Sequence, residues 1–552
     1  MTTSDIEIQT KRLIDDLKAT CASYGLGNDG NEYKIITQIF LYKFLNDKFG
    51  YEVKNVKAPR YHKRINSSSK WEDALKGFSN DDYEDLLTYL PPDSPKLKRE
   101  HFIGNIYNQQ HKGDFSALFD ATMVDIANYN AEIFSMKTES ETKLTLFENI
   151  TIHIPDTMKR DEFARALVAR LVNFNFEKVF AQKYDFFATI FEYLIKDYNK
   201  DGGGKYAEYF TPHSVASIMA RLLIKEGESV SDVSCYDPSA GSGTLLMAIA
   251  HAIGEERCTI YSQDISQKSS KMLRLNLILN NLVHSIPNII QGDTLVTPYH
   301  KTSHGSLQKF DYIVSNPPFK LDFSDTQAKL IDQKTRFFAG VPAIPKAKKE
   351  SMSIYLCFVQ HIINSLSANG KAAIVVPTGF ITASTGIERK IREYLITNKM
   401  IRGVVSMPSN IFATTGTNVS VLFLDKQNAD GKVMLIDASK MGTTVKENGS
   451  QRTKLSNDDI YKIVGTFHNR LSVDDFAVSV TYSDIEQKNY SFSAGQYFDI
   501  KIEYRDVTEA QFKANIAEHK KMLSHLFKES DRLAKVIVKK MEGLNFTDNK
   551  NE

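Results

Sequence analysis

Apolar residues in the first 160 positions recur three to four apart. Leu13 and Leu17 begin the pattern, and Ile35, Ile36, Ile39, Phe40, Phe44 and Leu45 continue it in the next segment. That spacing predicts amphipathic helices. The stretch from Gly25 to Gly30 separates the first helix from the second. A helical stretch is expected from about 162 to 198, ending in the loop Gly202-Gly203-Gly204. From about 231 the pattern changes, and short apolar runs alternate with amphipathic helices. The runs are Val233–Tyr236, Thr259–Gln263, Asn288–Gln291, Phe310–Ser315, Ala372–Val376, Arg402–Ser406 and Ser420–Leu424. Alternation of this kind predicts an α/β fold with a mostly parallel sheet and helices on both faces.

The tail reads differently. Asp506-Val507-Thr508-Glu509 resembles a capping box. Behind it Phe512, Ile516, Leu523, Leu526, Leu533, Ile537, Met541 and Leu544 mark one stripe of a helix, with Lys and Glu on the other faces. A helix of roughly thirty-five residues with one apolar seam needs a partner helix, in this chain or in another subunit. The expected organisation is a helical domain over 1–160, an α/β domain over 161–485 and a helical tail over 486–552.

Composition narrows the class. A chain of 552 residues exceeds one ordinary core. No apolar run is long enough to span a membrane, and the first residues lack a signal-peptide pattern. Cys21, Cys235, Cys258 and Cys357 show neither metal spacing nor a disulfide framework, so a reducing, cytoplasmic setting is expected and no metal site. Formal net charge is only +2, low for a protein that grips nucleic acid tightly by itself.

The chemistry sits where strands end. The first run leads into Asp237-Pro238-Ser239-Ala240-Gly241-Ser242-Gly243-Thr244, just ahead of an apolar helix. The glycines let backbone approach a ligand, and the helix start offers free N–H groups. Alone this turn is weak evidence, since many nucleotide folds share it. Asp264 ends the next run, twenty-three positions after Gly241, where an acid can hold a ribose diol. By itself Asp264 also reads as a helix N-cap. Asp293 ends the third run, where it can accept from an adenine amino group. Three acids would then line the edge at which open α/β sheets bind ligands.

The fourth run ends in Asn316-Pro317-Pro318-Phe319, on the same edge. The prolines fix the backbone and leave carbonyls as acceptors. An exocyclic base amine is a poor nucleophile because its lone pair is delocalised into the ring. The Asn316 side-chain oxygen and the Pro317 carbonyl can accept its two hydrogens and favour a pyramidal nitrogen. Phe319 can stack on the base. In-line methyl transfer then relies on positioning and electrostatics. A duplex base reaches such a pocket only by flipping.

At these residues the chain resembles the amino-group DNA methyltransferases, and more narrowly the modification subunit of type I restriction–modification systems. Glu32-Tyr33-Lys34, Phe40 to Leu45, Glu208-Tyr209-Phe210-Thr211-Pro212, Val376 to Phe380, Ser406 to Phe412 and Thr415 to Asn418 are similar to family segments, as is Gln496-Tyr497-Phe498 before the last helix. Many members carry a glycine and an aromatic after the Gly-Ser-Gly turn, where this chain has Thr244-Leu245. The resemblance implies a Rossmann-like fold that uses S-adenosylmethionine to methylate adenine N6 in double-stranded DNA. It implies that 237–243 hold the methionine end of the cofactor, Asp264 its ribose and Asp293 its adenine. Tyr209, Phe210 and Thr211 would border the methyl donor; locally Thr211 and Pro212 read as N-cap and N1 of a helix. Asn316 to Phe319 would hold the target base. Two such subunits would join one specificity subunit that reads the DNA, and a restriction subunit can add.

Three other readings stay open: methylation of cytosine N4, methylation of RNA or protein, and a non-catalytic assembly scaffold. The long loop after Phe319 carries Lys320, Lys329, Lys334, Arg336, Lys346, Lys348 and Lys349. It reads either as a phosphate contact or as a solvated surface.

Overall fold

The computed structural model describes residues 3–27, 30–180, 184–195, 211–412, 418–428, 431–447, 450–498 and 508–542. The chain divides into two compact units, Met1–Phe498 and Asp499–Glu552.

Thirteen strands are described in the first unit. They are β1 (Met136–Thr138), β2 (Lys143–Leu144), β3 (Val233–Asp237), β4 (Cys258–Asp264), β5 (Ile289–Gln291), β6 (Phe310–Ser315) and β7 (Leu366–Pro377), then β8 (Ile401–Ser406), β9 (Val419–Asp425), β10 (Lys432–Asp437), β11 (Thr443–Glu447), β12 (Ser450–Lys454) and β13 (Ala477–Thr481). Eleven form one sheet in the order β13-β10-β8-β9-β7-β6-β3-β4-β5-β1-β2, and β11 and β12 form a separate hairpin. Each of the seven runs read from the sequence is a strand, β3 to β9. Within them β5-β4-β3-β6-β7 are parallel neighbours. Strand β9 turns back antiparallel and inserts between β7 and β8.

Four strands of this sheet were absent from the sequence reading. β10 and β13 extend one edge. The other edge is extended by β1 and β2, which come from the stretch expected to be a helical domain. The helical stretch expected over 162–198 is two helices in the described residues, Arg160–Val172 and Tyr184–Ile195. The break between them has a tertiary cause. Phe176 sets its ring edge-on to Phe40 and Phe44, and its N–H donates to the Asp47 carboxylate at 2.8 Å.

The N-terminal helices and one face of the sheet share one apolar core, in which Ile14, Leu17 and Ile39 join Leu245, Leu273 and Val314. A buried arginine fastens the two. Arg274, on the helix Gln267–Leu279 after β4, donates to the carbonyls of Phe134, Leu144, Thr145 and Leu146. Tyr236, Ile313, Val359, Ile362 and Leu395 fill the opposite face. The segment after Phe319 has a small core of its own, including Phe323, Leu330, Phe337 and Met352.

The second unit is the helix Glu509–Glu542, 34 residues and about 50 Å long. Its capping box is Thr508 with Gln511: each backbone N–H donates to the other's side chain. This lies two residues later than the expected box, whose Asp506 and Val507 fall outside the described residues. Phe512, Ile516, Leu523, Leu526, Leu533, Ile537 and Met541 are all exposed, and Leu544 is outside the described residues. No described helix is long and apolar enough to cross a membrane.

Candidate active site

Strand β3 carries Asp237 into the glycine turn. Its carboxylate is buried and accepts the Ser239 N–H at 2.9 Å and the Ser239 hydroxyl at 3.3 Å. The Ser239 hydroxyl also pairs with that of Ser315 at 2.7 Å, which ties the turn to the end of β6. Gly241 and Gly243 have φ of +53° and +83°. A β-carbon on Gly243 would lie 2.1 Å from Leu273 Cδ1, so this position needs glycine for conformation and for space. Asn276 donates to the Ser242 carbonyl at 3.1 Å and holds the turn from the same helix that carries Arg274. Burial pushes the Asp237 carboxyl up to about 7.

Asp264 is half-buried at the tip of β4. One oxygen accepts the Gly241 N–H at 2.8 Å and the other accepts the Ser266 N–H at 2.8 Å. The N-cap of the following helix is Ser266, which accepts from Ser269, so the simple capping reading of Asp264 does not hold. Burial raises its carboxyl above the ordinary range. Asp293 follows β5. Its Oδ1 accepts the N–H groups of Leu295 and Val296, and its own N–H donates to Glu139 in the turn between β1 and β2. Asp293 Oδ2 takes no hydrogen bond from the described residues.

Asn316 leaves β6 nearly buried. Its side-chain amide donates to the Thr211 hydroxyl at 3.2 Å, and its Oδ1 takes no hydrogen bond from the described residues. Thr211 is buried; the helix it precedes is His213–Leu223 with Pro212 at the N-cap, one residue later than the sequence suggests. Tyr209 and Phe210 lie outside the described residues. Pro317 is buried and Pro318 and Phe319 are half-buried. The Phe319 ring meets Tyr355 edge-on at 6.2 Å, and Tyr355 meets Phe380 in the same way.

One small polar recess is lined by Thr211, Asp237, Ser239, Ala240, Ser242, Thr244, Leu245 and Asn316. The glycine turn and the tetrapeptide are therefore brought together, while Asp264 and Asp293 stand outside the recess at neighbouring strand ends. Sequence reasoning missed Ser315, Asn276 and Tyr355, and also Thr294, whose hydroxyl donates to the Pro238 carbonyl at 2.7 Å. None carries a local signal, since each acts on a partner distant in sequence. The basic loop needs one correction. Lys320, Lys329, Lys334, Lys346, Lys348 and Lys349 are exposed, but Arg336 is buried and bonded inward, out of reach of a phosphate.

The strand order with its inserted antiparallel β9, the glycine turn after β3 and the Asn-Pro-Pro-Phe tip after β6 define an S-adenosylmethionine-dependent methyltransferase of Rossmann-like fold. The chain belongs to the N-6 DNA methylase family, whose model matches residues 182–506. It is similar to the type I restriction enzyme MpnII methylase subunit of Mycoplasma pneumoniae, 28% identical over 80% of this chain and 76% of that protein. It is also similar to the type I restriction enzyme MjaIX methylase subunit of Methanocaldococcus jannaschii, 26% identical over 66% of this chain and 64% of that one. Its fold is like that of the type I restriction-modification methyltransferase subunit from Streptococcus thermophilus, with a TM-score of 0.71 at 21% identity, covering 89% of this chain and all of the other.

Proposed function

We propose that this chain transfers a methyl group from S-adenosylmethionine to N6 of adenine in double-stranded DNA, as the modification subunit of a type I restriction–modification complex in the cytoplasm. The observation that carries the reading is the Asn316 side chain. It is anchored through its amide on Thr211, leaves an acceptor oxygen without a partner among the described residues, and shares a recess with the glycine turn.

The residues fit the cofactor. The turn presents backbone at two left-handed glycines, and the buried Asp237 suits an adjacent cation, such as the ammonium of a methionyl group. In this reading Asp237 to Thr244 hold the methionine end, with Tyr209, Phe210 and Thr211 bordering it. Asp264 holds the ribose, and Asp293 has one oxygen left to accept from adenine. When bound, S-adenosylmethionine supplies an electrophilic sulfonium methyl.

The chain's own groups act on the target base. Flipped out of the duplex, the adenine is stacked by Phe319, which Tyr355 supports. Asn316 Oδ1 and the Pro317 carbonyl accept the two N6 hydrogens and draw the lone pair out of the ring. The nitrogen then attacks the methyl carbon in line as the bond from that carbon to sulfur breaks, and these two acceptors hold the N6 hydrogens until one is lost to solvent as a proton. Catalysis is positioning plus electrostatics, with no covalent intermediate on the protein.

The low net charge supports shared DNA binding; the family resemblance implies two copies of this chain on one specificity subunit, to which a restriction subunit can add to make the nuclease. Residues 1–160 serve as the helical frame, which also lends β1 and β2 to the sheet, 161–485 as the catalytic domain and 486–552 as the association tail, whose first residues, to Phe498, pack with the first unit. The exposed apolar stripe of the last helix supports that role. The test is a methyl-transfer assay with labelled S-adenosylmethionine and duplex DNA, with and without the specificity subunit, read after digestion to nucleosides. N6-methyladenine that requires the partner supports the whole reading. Label in cytosine overturns the base, and no label in DNA overturns the function.

A further inference from the structure

Arg336 lies 20 residues after Asn316, in the segment that follows the tetrapeptide, and is 7% exposed. Its Nη1 donates to the Leu295 carbonyl at 2.6 Å and its Nη2 to the Thr294 carbonyl at 2.8 Å. Both acceptors directly follow Asp293. Its Nε donates to His361 Nδ1 at 3.0 Å. With Nδ1 accepting, His361 carries its proton on Nε2 and donates it to the Tyr236 hydroxyl at 3.2 Å. Tyr236 directly precedes Asp237. Burial and the adjacent guanidinium hold His361 well below its ordinary range, so it stays neutral in that role.

No carboxylate stands within ion-pair distance of Arg336 among the described residues. A buried guanidinium that gives its protons to carbonyls is costly to keep unless the geometry is closely matched. The match here joins two loops that the sheet alone would leave independent. One follows β5 and ends the cofactor edge; the other follows the target-base tetrapeptide. The same β5 loop reaches the glycine turn through the Thr294 hydroxyl on Pro238. On its other side the segment is held by the helix Tyr355–Ser365, through Gln360 on Ala339 and Gly340 and Asn364 on the Arg336 carbonyl.

We propose that Arg336 is a positioning residue that fastens the segment after Asn-Pro-Pro-Phe to the cofactor edge, so that filling the cofactor site orders the segment bordering the target base. This rests on reading the 237–293 edge as the S-adenosylmethionine site. The link makes cofactor and base binding interdependent, because each stabilises a loop that the other uses.

Hydrogen exchange of the full chain, with and without saturating S-adenosylmethionine, tests it. In the wild type, cofactor slows exchange in 237–243, in 293–297 and in 327–340. Arg336→Lys keeps the charge but loses the fork. Its affinity for S-adenosylmethionine falls about tenfold, the loss of roughly one charge-assisted hydrogen bond. At saturation the slowing persists in 237–243 and disappears in 327–340. His361→Gln tests the same link if Arg336→Lys does not fold, with the slowing in 327–340 reduced. Cofactor-dependent slowing confined to 237–243 and 293–297 in the wild type overturns the inference, as does its retention in 327–340 of a folded Arg336→Lys, even if exchange there is faster overall. Absence of S-adenosylmethionine binding by the wild type overturns the functional reading and this inference together.

Discussion

The side-chain amide of Asn316 donates to the hydroxyl of Thr211, 105 residues earlier in the chain, at 3.2 Å. The contact sets which way the amide faces, and so which atom meets the target amine. Replacing Asn316 with Ala removes the acceptor itself. The expected loss in kcat is roughly 10²- to 10³-fold, with S-adenosylmethionine binding retained. Thr211→Val keeps the shape and lets the amide rotate, and the loss is about tenfold. Single-turnover methylation alongside equilibrium cofactor binding separates the two effects. Parallel loss of cofactor binding in Asn316→Ala would count against its assigned role.

Asp237 gives the site a pH dependence. Its carboxyl is raised from 3.8 to about 7 in the folded protein. The folded state therefore holds this proton where the unfolded chain has lost it, so the group's contribution to stability falls as pH rises from about 4 to 7. Each unit of difference is worth about 1.4 kcal/mol. Thermal melts of the cofactor-free protein should show Asp237→Asn gaining stability at pH 8 relative to wild type, with little gain near pH 4. Cofactor affinity in the wild type should fall as pH drops below about 7, because a cationic ligand must displace that proton. An equal effect of Asp237→Asn on stability at both pH values would reject this account.

Gly243 is constrained twice, by its φ of +83° and by Leu273. Gly243→Ala should destabilise the fold by about 1–3 kcal/mol and weaken cofactor binding. Leu273→Ala added to it relieves the collision but not the backbone strain, so the double variant should recover only part of the affinity. Denaturant melts and calorimetric binding measure both quantities.

Arg274 satisfies four carbonyls of the 134–146 stretch from within the α/β core. Arg274→Met removes that donor at similar side-chain length. Urea unfolding should show a loss of about 3 kcal/mol. Proteolytic cleavage should rise first between 134 and 147, where β1 and β2 join the sheet.

The exposed Lys346, Lys348 and Lys349 are the part of the basic loop still suited to phosphate. Replacing all three with Ala should weaken DNA binding by the assembled complex. It should also flatten the dependence of log affinity on log salt by up to about 3. An unchanged slope would show a solvated surface.

The strands that sequence reading found share a physical signature. β3 to β9 lie inside the sheet, so their residues read as apolar runs between polar turns. β1 and β2 contain three and two residues, too few for any period, and they become strands only because β5 offers an edge. The division of the helical stretch over 162–198 has a similar cause. Phe176 docks on Phe40 and Phe44 between its two described helices, and that contact has no local signal. Arg336 is the sharpest case: within its own segment it is one basic residue among seven, and burial depends on carbonyls at 294 and 295.

From the sequence alone came the α/β core, the position of the glycine turn, the acids at two strand ends, the Asn-Pro-Pro-Phe tip and the long final helix. All of these depend on backbone preference and local periodicity, which neighbouring residues decide. Tertiary structure alone decided that Thr211 orients Asn316, that Ser239 meets Ser315, that a hairpin from the helical region extends the sheet beside Asp293, and that Arg336 turns inward. Those contacts join residues tens to over a hundred positions apart. Their formation depends on the packing of the whole core, because only a closed, water-poor interior makes an unmet carbonyl or guanidinium costly enough to select one partner.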